Sequence, residues 1–179
     1  MTGSCEEFMR NCRAIFSGML FATLFVPAAA SGAPVGSSPQ PPAEFSQNVT
    51  FTLPTDLKWT GREGRLQTTL IYGDPKKEGP YGILYKWFPG NFSKPHFHDQ
   101  TRWGYVISGT WWVSSANVPD ESTTYPMRAG TFVVDLADKV HWDGVRSADK
   151  EPALVLVTGI GPVKTVEVDA DGKPLPPGH

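Results

Sequence analysis

Thiols are nearly absent from this chain. Its two cysteines, Cys5 and Cys12, both fall among the first twelve of 179 residues. Nothing beyond them can be held by a disulfide or bind a metal through thiolate. Histidine is scarce as well, with four in all. Positive charge has no excess, since 16 Lys and Arg face 18 Asp and Glu for a net charge of -2. No stretch interleaves basic with aromatic side chains, so the electrostatic footprint of a nucleic-acid binder is missing. Also missing are a nucleophile elbow with a Ser-His-Asp set, a glycine-rich phosphate loop and a dinucleotide fingerprint. Serine acyl transfer, nucleotide hydrolysis and hydride transfer are therefore poor first readings.

No apolar run reaches the roughly 20 residues of a spanning helix. The longest, Ala14 to Val26, follows Arg10 and Arg13 and ends in Pro27, Ala28, Ala29 and Ala30. That order of basic, apolar and small residues is a secretory signal peptide with an A-x-A cleavage pattern. Residues 1–30 are expected to be removed after Ala30, leaving a secreted or periplasmic protein with no stable membrane anchor. The mature chain from Ser31 would carry no thiol, so any metal would be held without sulfur. Residues 31–48 form a Pro/Gly/Ser-rich leader, and residues 169–179 a tail opened by the turn signal Asp169-Ala170-Asp171-Gly172. His179, the last residue, reads as a solvated terminal group.

Glycine and proline are plentiful, 18 and 17, and between these ends they punctuate short alternating segments. Strands are expected at Val49 to Leu53, Leu66 to Tyr72, Gly82 to Phe88, Trp103 to Ser108, Thr110 to Ser114, Thr131 to Asp135, Val140 to Asp143, Ala153 to Thr158 and Lys164 to Val168. The breakers between them include Gly73-Asp74-Pro75, Pro89-Gly90-Asn91, Ser108-Gly109 and Gly159-Ile160-Gly161-Pro162. No long helical period follows residue 30. The expectation is an all-β domain over 49–168, closed as a barrel or a double-sheet jelly roll.

The remaining histidines, His96, His98 and His141, occupy two short segments. In an extended segment His96 and His98 leave the same face, and Gln100 and Arg102 share their parity. Gly104, Val106 and Ser108 continue that face towards the interior, while Trp103, Tyr105 and Ile107 take the other. Three imidazoles brought together from separate strands would suit Fe, Mn, Zn, Ni, Co or Cu as a divalent ion.

The segment from Gly90 through Pro95-His96-Phe97-His98 to Arg102 and Gly109 resembles the first cupin motif, and Gly130 to His141 resembles the second. Gly73-Asp74-Pro75-Lys76 through Gly79-Pro80 and Ser108-Gly109-Thr110-Trp111 look like small secreted single-domain cupins. The resemblance implies a jelly-roll β-barrel, a metal held by His96, His98 and His141, and a small-molecule ligand or substrate. It also allows two copies to pair as a homodimer through barrel edges.

The departures matter equally. The motif's glutamate falls on Arg102, its Pro-x-Gly on Leu136-Ala137-Asp138 and its asparagine on Val145. A guanidinium has no lone pair for a metal. If Arg102 points inward, it is expected to bind an anionic substrate that also reaches the metal. If it turns away, it pairs with Asp99, Asp135 or another surface acid. Gln100 is expected near the metal or substrate, Asp99 facing away at a turn, and Asp143 orienting a ligand from behind. Trp87, Trp103, Tyr105, Trp111 and Trp112 read as core or subunit-interface packing. Asn48-Val49-Thr50 and Asn91-Phe92-Ser93 match the glycan acceptor pattern.

Two functions follow. One is a metal-dependent cupin enzyme of oxygenase, lyase or isomerase type acting on a small anionic substrate. The other is a non-catalytic cupin that binds a small ligand or a metal.

Overall fold

The structure is a computed structural model that describes residues 48–176. Residues 1–47, where a signal peptide and leader are expected, and residues 177–179, which include His179, lie outside the described residues. Twelve strands follow in chain order: β1 Thr60–Gly61, β2 Leu66–Tyr72, β3 Gly79–Trp87, β4 Asn91–Phe92, β5 His96–His98, β6 Arg102–Ser108, β7 Thr110–Ser114, β8 Tyr125–Arg128, β9 Phe132–Asp135, β10 Trp142–Val145, β11 Ala153–Gly161 and β12 Thr165–Glu167. No α-helix occurs among the described residues, only 3-10 turns at Pro54–Asp56 and Glu121–Thr123.

Six strands form one sheet in the order β1-β2-β3-β11-β6-β9, four form a second in the order β4-β10-β7-β8, and β12 pairs with β5. All pairings are antiparallel. The first two sheets pack face to face, because one core cluster joins Trp87, Val106, Val155 and Val157 of the larger sheet to Trp111 and Val145 of the smaller. Strand alternation drives this burial. Along β11 every second residue from Ala153 is buried, as the inward face of an all-β sandwich requires. Each buried Val or Leu contributes about 1.5–3 kcal/mol by leaving water.

The breakers sit where the chain reverses. Gly109 joins β6 to β7 at φ +74, and a Cβ there would lie 2.4 Å from the Pro152 carbonyl oxygen, so both conformation and space demand glycine.

Three expectations need correction. Val49 to Leu53 is not a strand: Val49 and Phe51 are exposed, Pro54 opens a 3-10 turn, and ladder pairing begins only at Thr60. The strand expected at Val140 to Asp143 starts at Trp142, because the preceding turn places Asp138 at φ +59. Strand β8 was not expected, since Pro126 lies inside it. It is the edge of its sheet, the position where a strand tolerates proline. The Asn91 side-chain amide donates to the carbonyls of Gly64, Phe88 and Pro89 at 3.1, 3.1 and 2.9 Å and so ties the turn before β4 together.

The parity expected for β6 holds as far as Ile107, whereas Ser108, expected on the inward face, is exposed at the strand end. Gly104 and Val106 are buried, while Trp103, Tyr105 and Ile107 are exposed on the outer face. They stand beside exposed Phe132 and Val134 of the edge strand β9.

Candidate metal centre

The backbone joins the two histidine segments directly. His96 N–H donates to the His141 carbonyl at 2.9 Å and His141 N–H to the His96 carbonyl at 2.8 Å. On its other edge β5 pairs with β12, with His98 opposite Thr165 and His96 opposite Glu167. Ladder pairing thus fixes the three histidines before their side chains contribute. All three are buried, with ring centroids 4.8 Å apart for His96 and His98, 4.5 Å for His96 and His141, and 5.4 Å for His98 and His141.

Each ring commits one nitrogen outward. The Nδ1 of His96 lies 2.7 Å from the Lys94 carbonyl, that of His141 lies 3.1 Å from the Lys139 carbonyl, and that of His98 lies 3.1 Å from the Thr165 hydroxyl. A carbonyl can only accept, so Nδ1 carries the proton in His96 and His141 and Nε2 keeps its lone pair. Such outward partners are those that orient metal-binding imidazoles. In His98 the Nε2 is buried and has no hydrogen-bond partner, although buried polar atoms are nearly always paired.

Burial pushes the His98 pKa down to about 2, with the charges of Arg102 and the other histidines acting in the same direction. His96 is lowered for the same first reason, burial, partly opposed by the charge of Asp143. These are neutral imidazoles, the form that binds metal. One donor atom from each of the three lies within 4.8 Å of the others. Donors about 2.0–2.1 Å from a shared ion stand at most about 4.2 Å apart, so the group needs only a slight contraction. The donor set fits a divalent transition ion.

Arg102 does pair with Asp135, but not at the surface. The two side chains are 12% and 11% exposed, and the pair lies against the histidines. Asp135 is 3.9 Å from His98 Nε2 and 3.4 Å from His141 Nδ1. Sequence reasoning offered Asp135 only as a surface partner and missed its place in the site. Parity groups Asp135 with Val133, but which face turns inward is set by the β6–β9 register, in which Asp135 falls opposite Arg102.

The other side chains divide. Gln100 is exposed, because residues 99–100 form a bend and the alternation restarts at Arg102, so it does not join the histidines. Asp99 faces the β12 side and accepts from the Lys164 N–H at 2.7 Å. Asp143 is buried at the site but orients no imidazole by hydrogen bond. It accepts from Ser93 Oγ and Trp111 Nε1, both at 2.9 Å. Trp87 and Trp111 are core, as expected, while Trp112 is half-buried, donating to Asp149 at 2.6 Å beneath the Arg146 guanidinium.

A cavity of about 410 Å³ opens beside the cluster, lined by Tyr85, Phe92, His96, His98, Arg102 and Asp143 among others. That volume suits a small organic molecule. Burial raises the Tyr85 pKa, against the lowering charge of Arg102, so its phenol stays protonated and able to donate.

The fold recurs in solved structures. An RmlC-like cupin protein from Ralstonia eutropha JMP134 superposes with a TM-score of 0.54 at 17% identity, over 73% of this chain and 80% of that one. The fold is a cupin fold. The polyketide cyclase RemF from Streptomyces resistomycificus shares the cupin fold at a TM-score of 0.53 and 17% identity, over 69% of this chain and 89% of its own. A protein of unknown function with a cupin-like fold, also from Ralstonia eutropha JMP134, matches at 0.51 and 22%, over 62% of this chain. The match spans 63% of that protein's length. At these identities the likeness speaks for the cupin fold alone. No family profile and no curated protein matches the sequence.

Proposed function

We propose that this chain is an exported cupin-fold protein that holds a divalent transition metal through His96, His98 and His141 and brings a small anionic organic substrate to it. The observation that carries this reading is the unpartnered Nε2 of His98, buried beside two further imidazoles whose outward nitrogens are already bonded. A lone pair in that position gains a partner when an ion is bound. Nitrogen donors alone suit Fe, Mn, Zn, Ni, Co and Cu. The ion would supply Lewis acidity and an open position for water or oxygen.

The chain's own groups would receive the substrate. Arg102 gives Nε and one terminal nitrogen to Asp135 and lines the cavity together with Arg65 and Lys94. Tyr85 adds a phenol donor. The carboxylates near the cavity are already engaged, Asp143 by Ser93 and Trp111, Glu167 by Lys94 and Asp135 by Arg102. None stands ready as a general base. That favours chemistry borne by the metal, and it equally suits a binding module without turnover.

Elemental analysis of protein purified without chelators tests the reading, followed by titration of the metal-free protein. One equivalent of transition metal is expected, lost in His96→Ala. Absence of metal, with no uptake on titration, overturns it. A substrate screen in which bound metal drives no conversion leaves the binding module. Export rests on the pattern in residues 1–30, and the intact mass of the mature protein, expected to begin at Ser31, tests it.

A further inference from the structure

We infer that Asp135 supplies the carboxylate of the metal centre, from β9 and not from the β5–β6 segment, and that Arg102 is its positioning residue. The inference rests on the three-histidine metal site proposed above.

The geometry is specific. The Asp135 carboxylate lies beside two of the three imidazoles, with Oδ2 at 3.9 Å from His98 Nε2, the nitrogen without a partner, and Oδ1 at 3.4 Å from His141 Nδ1, the nitrogen turned to the Lys139 carbonyl. The first of these distances is too long for a hydrogen bond. It is close to the roughly 4 Å that two donors span across one ion at about 2.0–2.2 Å from each. A neutral imidazole whose Nδ1 is turned to the Thr165 hydroxyl presents a lone pair to a carboxylate oxygen, two electron-rich atoms facing each other out of water. Such an arrangement is unfavourable until a cation lies between them.

The side chain cannot swing away freely. Arg102 Nε and Nη2 hold Oδ2 at 2.9 and 2.6 Å, and the two residues are direct partners in the β6–β9 register. The guanidinium also cancels the carboxylate's charge in the metal-free protein. The residue that removes a carboxylate from the first histidine segment therefore places another from the facing strand. The strand pair thus sets an acid beside His98 and His141 and a base where the first cupin motif has its acid.

Cobalt(II) tests this through its visible absorption, which reports the donor set independently of any reaction. Full-length wild type, Asp135→Asn, the neutral double variant Arg102→Gln with Asp135→Asn, Arg102→Gln and Arg102→Lys are each freed of metal, checked for fold by circular dichroism and titrated with Co(II). Wild type is expected to bind one equivalent. Asp135→Asn and the double variant are expected to bind at least about tenfold more weakly, with a displaced visible band. Arg102→Gln should weaken binding by less, and Arg102→Lys, which keeps a cation on the carboxylate, should restore most of the affinity and the wild-type band. The double variant guards against the case in which Asp135→Asn fails to fold around an uncompensated guanidinium. A folded double variant with wild-type affinity and band would reduce Asp135 to an ion-pair partner and overturn the inference while sparing the histidine site. A wild-type chain that takes up no cobalt overturns the metal reading, and this inference with it.

Discussion

Arg102 and Asp135 face each other across the β6–β9 ladder, and the guanidinium closes on one carboxylate oxygen through two N–H groups at 2.9 and 2.6 Å. The pair lies inside the barrel against His98 and His141. Its place changes what substitution at residue 102 should do.

Arg102→Glu would restore a carboxylate at the position where the first cupin motif has one, but it would set that carboxylate directly opposite Asp135. Removing one partner of a buried pair costs about 3–5 kcal/mol, and like charge adds to that. We expect Arg102→Glu to lower the urea midpoint sharply and Arg102→Glu with Asp135→Arg to recover much of the loss. Equal midpoints for the single variant and wild type would show that the pair is not a buried one in solution.

Acid should weaken the fold well above the carboxylate range. His98 has a pKa of about 2 in the folded chain against an ordinary 6.5, so below 6.5 the unfolded chain binds a proton that the folded chain refuses. Stability is then full above about pH 6.5 and declines as pH falls from there towards about 2. His96 shifts in the same direction. Urea unfolding of metal-free protein at pH 7.5 and 4.5 is expected to show a lower midpoint at 4.5, and a flat profile across that window would contradict the neutral imidazoles.

Asp138 adopts φ +59 where the second cupin motif carries glycine, and its N–H donates to the His98 carbonyl at 2.8 Å. Asp tolerates this left-handed conformation better than most residues, yet still at a cost. Asp138→Gly is expected to leave stability unchanged or raise it by up to about 1 kcal/mol, and Asp138→Val to lower it by about 1–2 kcal/mol. Thermal melts of both variants decide, and a stabilised Asp138→Val would be inconsistent with the observed backbone.

The outer face of β6 and β9 exposes Trp103, Tyr105, Ile107, Phe132 and Val134 on an edge of the larger sheet. Exposed, apolar edge strands are covered in stable proteins. A second copy of the chain is the expected cover. Light scattering should give twice the monomer mass, with Tyr105→Asp shifting it to the monomer; a monomeric wild type across the micromolar range would refute pairing.

Much of this was legible in one dimension. Alternation and glycine-proline punctuation marked β2, β6 and β7 closely, and β11 and β12 within a few residues, because a half-buried strand writes its two faces into every second residue. The same alternation put Arg102, Gly104 and Val106 on the inward face. Gln100 escaped it because a bend at 99–100 interrupts the period, and no residue type there announces a bend. Asp135 escaped because its neighbours Val133 and Val134 are equally apolar, so its direction depends on register with β6.

By itself, the sequence determined the all-β alternation, the supply of three histidines in two segments and the absence of thiolate ligands after Cys12, since these follow from residue identity and period. Only the tertiary structure decided that His96 and His141 exchange backbone hydrogen bonds, and that Asp135 stands beside His98. Strand order and register are long-range properties, set by how two sheets bury their faces together, and Asp135, far from His98 in sequence, comes to stand beside it only once that packing is complete.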